Sequence, residues 1–465
     1  MRVIFMRWLD VPSRLGYLMD GVPPAGSRIR LTVSTQVGDR QFEGTLVPPA
    51  GVDLLTLKLA NGYNLSHSIA DAKEVVLIKE GLQGEGPPDV DVKEDSSLPE
   101  VLLIHTGGTI ASKVDYSTGA VTARFEPSEI LSTVPELLNI ARIRVLKLGN
   151  MWSDDVRPRH WNAMVNATRE AFDQGYEGVV VTHGTDTLHL SAAAMSYAWS
   201  GKGGRAPGRI VFTGSQRSPD RGSSDAYENL IAAVSWAANG PDTTGYRDTS
   251  VVVMHEDGSD GRCAVLPGCS SRKAHSSKRG AFIAVNQEPL AYISIDSKGP
   301  SIEDLRGDSV PRGVEKDPVL FNETTRIHEF VAGAYLTGEM VRASLEGSPD
   351  ALVIRGTGLG HLPVHDPLGD SPENTLLAEV LASATKTGIP IIITAETVQG
   401  EVNMDVYSKG RDQRAMGLFG HGSLCPPGSA MVKLHHLLSR GLDSAAIEEA
   451  WHMDLVGENP PDSRS

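Results

Sequence analysis

The chain has 465 residues, of which 40% are hydrophobic and 22% charged, and it carries a net charge of -15 at neutral pH. That length calls for several domains of roughly 150 residues each. The composition excludes a disordered or membrane-embedded chain, and the acidic balance excludes the basic footprint that direct nucleic-acid binding needs. The three cysteines, Cys263, Cys269 and Cys425, are too few and too scattered for a disulfide framework or a four-thiolate zinc site, which fits a reducing cytoplasm. The opening MRVIFMRWLD is broken by Arg7 and Asp10, and no later stretch reaches the roughly 18 apolar residues of a membrane span, so no membrane association is expected.

In chain order, short alternating segments come first, at 28–33, 41–47, 54–65 and 74–79, with Asn61-Gly62 as a hairpin turn signal. They predict a small β-barrel-like domain over residues 1–82. Residues 83–99 are rich in Gly, Pro, Ser and acids and read as a linker. From Glu100 the pattern changes to apolar strands alternating with helical segments, the signature of a parallel sheet with crossover helices. Strands are expected at 101–104, 144–148, 178–182, 209–213 and 250–254, forming one α/β lobe over 100–310. A polar stretch follows, with a connector at 311–322. A second α/β lobe is expected over 323–456, with strands at 327–332, 351–355 and 390–395 and a frayed tail at 457–465. The loop GTGLGH (356–361) lacks the Lys-Ser/Thr of a P-loop and does not match GxGxxG, so nucleotide binding in this chain is not expected.

Four loops carry chemistry. HTGGTIAS (105–112) follows the first lobe strand and offers Thr106 and Thr109 around Gly107-Gly108, where glycines bring backbone N–H groups close to a ligand. This is either a small-residue turn or a nucleophile loop. In HGTDT (183–187), Thr185 and Asp186 precede a helix, beside Gly184, where Asp186 serves either as a cap or as a functional carboxylate. Lys273, in SSRKAHSSKRGAF (270–282), is either a surface lysine among basic neighbours or a proton relay. Ser153 and Asp154, in NMWSDDV (150–156), are placed to hold a substrate's ammonium and carboxylate. His105, His183 and His275 lack HxH or HExxH spacing with a third ligand, so no metal is expected and they read as hydrogen-bonding neighbours.

Taken in order, TGGTIAS, HGTDT, TGSQRSPDRGSSDAYENL (213–230) and the loop of Lys273 resemble the asparaginase and glutaminase amidohydrolases, over about residues 100–440. The N-terminal domain with FEGTLVPP and KLANGYNL, together with VIRGTGLGH (353–361) and QGEVNMDVYSKGR (399–411), is closer still to the D-type subunits of archaeal glutamyl-tRNA(Gln) amidotransferases. The resemblance implies Thr109 as nucleophile, supported by Thr185, Asp186 and Lys273, with Asp186 orienting the lysine. It implies Gly108, Gly184, Ser153, Asp154 and a lid tyrosine, Tyr116, as substrate-binding residues. The implied activity is hydrolysis of glutamine to glutamate and ammonia, with no cofactor in this chain. ATP and Mg belong to an E-type partner subunit, which uses the ammonia on Glu-tRNA(Gln) and holds that tRNA. A homodimer core within a heterotetramer is implied as well. A stand-alone L-asparaginase with an appended β domain is the alternative, since one methylene separates the two substrates; a non-catalytic scaffold is a further one. Ala395-Glu396-Thr397 departs from the Ser-Gln-Cys expected before the GxVNM motif, so no residue is carried over from the resemblance at an inter-subunit or ammonia-exit surface, and the departure touches none of the four implied catalytic residues.

Overall fold

Period-2 burial marks the first strand, at residues 28–35. Ile29, Leu31 and Val33 are fully buried while their neighbours face outward, as expected of a strand with one face on a core. In a computed structural model, five antiparallel strands build this unit: β1 (Arg28–Thr35), β2 (Gly38–Val47), β3 (Leu54–Leu59), β4 (Asn64–Ser68) and β5 (Ala72–Lys79), in the order β4-β3-β2-β1-β5. Leu46, Leu55 and Leu57 close its core. The structure describes residues 23, 26–35, 38–47, 54–59, 64–79, 95–114, 121–123, 134–200, 206–219, 223–245, 247–307, 309–313 and 317–460. The Asn61-Gly62 turn and most of the 83–99 linker fall outside them. The chain divides into two compact units, one holding this sheet and the other most of the residues from Asp91 onward.

The larger unit starts with β6 (Glu100–Gly107), whose buried run VLLIHTG sits inside the main sheet. A short hairpin, β7 (Ser112–Val114) with β8 (Val121–Ala123), follows in sequence and groups with the N-terminal unit. The chain then continues through β9 (Arg142–Met151), α1 (Pro158–Asp173), β10 (Gly178–Thr182), α2 (Leu188–Ala198), β11 (Arg209–Thr213) and α3 (Ala226–Asn239). Next come β12 (Thr243–Thr244), β13 (Val251–His255), β14 (Arg262–Pro267), β15 (Ser271–Lys273), β16 (Phe282–Ala284), β17 (Ala291–Asp296), β18 (Gly299–Asp304) and β19 (Val310–Pro311). The main sheet has eight strands in the order β18-β17-β14-β13-β11-β10-β6-β9. From β9 to β13 it is parallel, and β14, β17 and β18 extend it antiparallel. That extension goes beyond the five expected strands.

The second lobe places β20 (Ile327–Val331), β21 (Ala351–Gly356) and β22 (Ile391–Ala395) in a three-stranded parallel sheet. It carries α4 (Gly338–Glu346), α5 (Pro372–Lys386), α6 (Ser408–Ala415), α7 (Pro427–Ser439) and α8 (Ser444–Trp451). The expected fraying after residue 456 does not hold for its first three positions. Glu458 and Asn459 are buried, and Glu458 forms an ion pair with Lys433 of α7 in which both side chains have no exposed surface. Cys269 donates to the carbonyl of Val456 at 3.1 Å, and Gln287 bridges Ser270 to the carbonyl of Gly457. A buried charge pair with its backbone bonds satisfied holds the segment in place. Residues 461–465 lie outside the described residues.

Candidate active site

The parallel strands β6 and β10 are neighbours in register, with His105 opposite Thr182, so the two loops leaving their carboxyl ends emerge side by side. Ligands bind at this end of open α/β sheets. Gly107 and Gly108 leave β6 with φ of +122° and +90°, a region that penalises any residue with a Cβ. At Gly108 the need is also steric: a Cβ there would lie 2.6 Å from the backbone nitrogen of Gly184. The two glycine loops therefore touch backbone to backbone. Gly184 in turn packs on Ser153, whose Cβ would lie 2.8 Å from a Cβ added at Gly184. Thr187 closes the same contact by donating its hydroxyl to the carbonyl of Ser153.

Lys273 ends β15, held antiparallel to β16 opposite Phe282. Its ammonium donates to Thr185 Oγ1 at 2.8 Å and to Asp186 Oδ1 at 2.8 Å. Only 9% of the Lys273 side chain is exposed, which rules out the surface-lysine alternative. Asp186 is not a helix cap. The cap position of α2 is Thr187, without a side-chain cap bond, and the Asp186 carboxylate is committed to Lys273. Thr185 is buried between them, whereas Asp186 keeps 70% of its side chain exposed.

Buried histidines brace the loops. His183 Nδ1–H donates to the carbonyl of Gly184 at 2.8 Å, which leaves Nε2 to accept from Ser191 of α2 at 2.9 Å. His105 bonds Thr182 at 3.0 Å. Burial holds both imidazoles down at about 4, so they are neutral near pH 7 and act as fixed hydrogen-bonding groups. His275 instead accepts from the backbone N–H groups of Ser277 and Lys278 in the exposed loop after Lys273.

Thr109 opens a single 3-10 turn one residue beyond the Gly108–Gly184 contact and is half-buried. Among the described residues its hydroxyl makes no hydrogen bond to Lys273 or Thr185. Ser153 is buried and Asp154 exposed in the 3-10 turn after β9. The structure thus brings together Thr185, Asp186 and Lys273 directly, and Gly108, Gly184 and Ser153 through backbone packing. Tyr116 lies outside the described residues. A cleft of about 610 Å³ opens beside the trio and shares only Lys273 with it, with Arg157, His189, Arg272, Glu329 and Arg355 on its walls.

The "Asparaginase, N-terminal" family model matches residues 100–303, and the "Glutaminase/Asparaginase C-terminal domain" model matches 329–451. Among curated relatives, the D-type subunit of the glutamyl-tRNA(Gln) amidotransferase of Halobacterium salinarum is 37% identical over 94% of this chain and 98% of its own length. Its counterpart in Aeropyrum pernix is 35% identical over 90% of this chain and 94% of its own length. The chain belongs to the asparaginase and glutaminase family, in the branch of the D-type glutamyl-tRNA(Gln) amidotransferase subunits. The fold agrees. The L-asparaginase of Thermococcus kodakarensis superposes with a TM-score of 0.62 at 24% identity, covering 77% of this chain and 98% of that one. L-asparaginase I of Vibrio cholerae gives 0.62 at 23% identity, covering 78% and 99%.

Sequence reasoning missed two supports of this family site. Thr187 joins the HGTDT loop to the Ser153 turn, and Asp225 ties down the loop after β11 by accepting from the backbone N–H groups of Gln216 and Arg217, at 2.9 Å each. Both belong to segments that carry the family resemblance, but short polar side chains there are indistinguishable from ordinary turn formers until their partners are seen.

Proposed function

We propose that this chain is the glutaminase subunit of a tRNA-dependent amidotransferase, hydrolysing glutamine through Thr109 and passing ammonia to a partner subunit. The observation that carries this reading is the bonding of Lys273 to both Thr185 and Asp186, beside the contact of the two glycine loops. A lysine nitrogen held between a hydroxyl and a carboxylate can hand a proton to the leaving nitrogen and take the threonine's in exchange. The Thr109 oxygen forms a bond to the side-chain amide carbon of glutamine, and its proton passes through the Lys273–Thr185 pair to the leaving nitrogen. The N–H groups of the glycine turns face the developing oxyanion. The carbon–nitrogen bond breaks and ammonia departs. Water then cleaves the threonine ester to give glutamate and restore the hydroxyl. Ser153 and Asp154 face the α-amino and carboxylate ends of the substrate.

Support for the tRNA-dependent setting comes from relatives named as amidotransferase subunits that match 90% or more of the chain. In this reading an E-type partner holds Glu-tRNA(Gln), ATP and Mg, this chain needs no cofactor for hydrolysis, and a homodimer forms the core of a cytoplasmic heterotetramer. Among the described residues no helix is long and apolar enough to cross a membrane.

Covalent labelling tests the nucleophile. An electrophilic glutamine analogue, such as a diazoketone, is expected to add once per chain, with the adduct mapped by mass spectrometry to Thr109 and absent from Thr109→Val. An adduct on Thr106 or Thr185 would overturn the assignment.

A further inference from the structure

His255 closes β13 at the carboxyl end of the main sheet, and its side chain has no exposed surface. Its orientation is dictated by Asn229 of α3. The Asn229 amide nitrogen donates to the carbonyl of Gly214 at 2.9 Å and to Asp225 Oδ2 at 3.0 Å, so the amide oxygen is turned to His255 Nδ1 at 2.7 Å. An amide oxygen only accepts, so Nδ1 carries the proton and Nε2 presents the lone pair of the neutral ring.

The Nε2 lone pair points at another acceptor. Glu228 Oε2 lies 2.9 Å away, yet no hydrogen bond of acceptable geometry joins them, leaving Nε2 buried without a hydrogen-bond partner among the described residues. Asp260 completes a set in which one ligand atom from each of Glu228, His255 and Asp260 lies within 4.8 Å of the other two. Two ligands of a tetrahedral zinc ion, each about 2.0–2.1 Å from the metal, stand roughly 3.3 Å apart. The His255–Glu228 spacing is close to that, and a small turn of the exposed Asp260 closes the third position. A ring nitrogen whose other N–H is fixed by a carbonyl is the usual arrangement of a metal-binding histidine.

We propose that Glu228, His255 and Asp260 form a site for one divalent cation of the zinc class, separate from the Thr185–Asp186–Lys273 trio. One imidazole with two carboxylates suits zinc better than magnesium or calcium, which take oxygen ligands. The charge on Asp260 is met by Arg279, and Glu228 Oε2 also accepts the N–H of Gly261 at 2.8 Å. An incoming ion exchanges with the guanidinium and leaves the backbone bond in place. Arg279 belongs to the loop following Lys273, where a Cβ at Gly280 would lie 2.5 Å from Asp257 Cα. The ion thus cross-links the 256–261 turn beneath that loop and plays a structural part.

The test uses the full chain stripped with chelator and titrated with Zn²⁺ by calorimetry, with thermal melting followed in parallel. One saturable ion per chain that raises Tm is expected. Glu228→Gln and Asp260→Asn are each expected to weaken uptake at least tenfold, and both avoid truncating the buried imidazole. Absence of saturable uptake, or uptake unchanged in both variants, would overturn the proposal.

Discussion

Lys273 reaches Asp186 at 2.8 Å from a strand that lies 87 residues further along the chain, and on the way its ammonium also holds Thr185. The lysine is nearly enclosed while the carboxylate is mostly exposed, so the pair joins the protein interior to the surface. An ion pair this open contributes little to stability, and in the proposed reaction its value is positional and acid–base.

Replacing Asp186 by Asn preserves shape and removes the charge that orients the lysine. The expected result is a fall in kcat for glutamine hydrolysis of ~10²–10⁴-fold, with Tm close to that of the parent. Lys273→Met should fall at least as far. Steady-state ammonia release and a melting curve on the same preparations check both.

At Gly108 any side chain meets two obstacles, the positive φ and the backbone of Gly184. Gly108→Ala is expected to separate the two glycine loops, abolish hydrolysis and lower stability by about 1–2 kcal/mol from the backbone conformation alone. Glutamine turnover and denaturant unfolding measure the two effects. A fully active, equally stable variant would show that the loops do not need this contact.

Where one face or both faces of an element are buried, the sequence carries the pattern plainly. The strands at 178–182 and 209–213 are unbroken apolar runs ending in polar turns, and the structure reproduces both spans. The antiparallel strand at 299–304 leaves no such mark because it is half-exposed and carries two acids, so no apolar run signals it. Thr185, Asp186 and Lys273 are legible through the family resemblance. Their residue types alone fit a cap and a surface lysine equally well. Glu458 is hidden for a different reason: its partner Lys433 lies 25 positions away on α7, and a buried charge can be recognised only once the fold brings its partner to it.

That pair yields a stability prediction. Lys433 also donates to the carbonyls of Trp451 and Met453, at 3.0 and 2.7 Å. Lys433→Met leaves the Glu458 carboxylate buried without its cation, and a loss of about 3–5 kcal/mol is expected. Adding Glu458→Gln should recover part of that loss. Urea unfolding of the single and double variants measures the coupling.

Acid should destabilise the fold. Burial holds His105, His183 and His189 at about 4 and His436 at about 3, against 6.5 for the free side chain. Above 6.5 both states are neutral and nothing is lost. As pH falls from 6.5 toward 4 the unfolded chain takes up protons that the folded one refuses, so stability declines through that window, by on the order of 3 kcal/mol per histidine once complete. Asp454 works in the opposite sense. Burial and Glu458 raise it to about 6, so acidification over the same range favours the fold at this one site. Four groups outweigh one, and Tm is expected to be lower at pH 5 than at pH 7.5. A flat or rising profile would show that these histidines are not neutral in the folded protein.

In the proposed function Thr109, with its relay, makes ammonia from glutamine for use by a partner. Ammonia release from glutamine and from asparagine, measured for the full chain alone and with an E-type partner subunit and Glu-tRNA(Gln), tests it most directly. Turnover of glutamine is expected to rise when partner and tRNA are present and to disappear in Thr109→Val. Strong asparagine turnover by the isolated chain, indifferent to both additions, would contradict it.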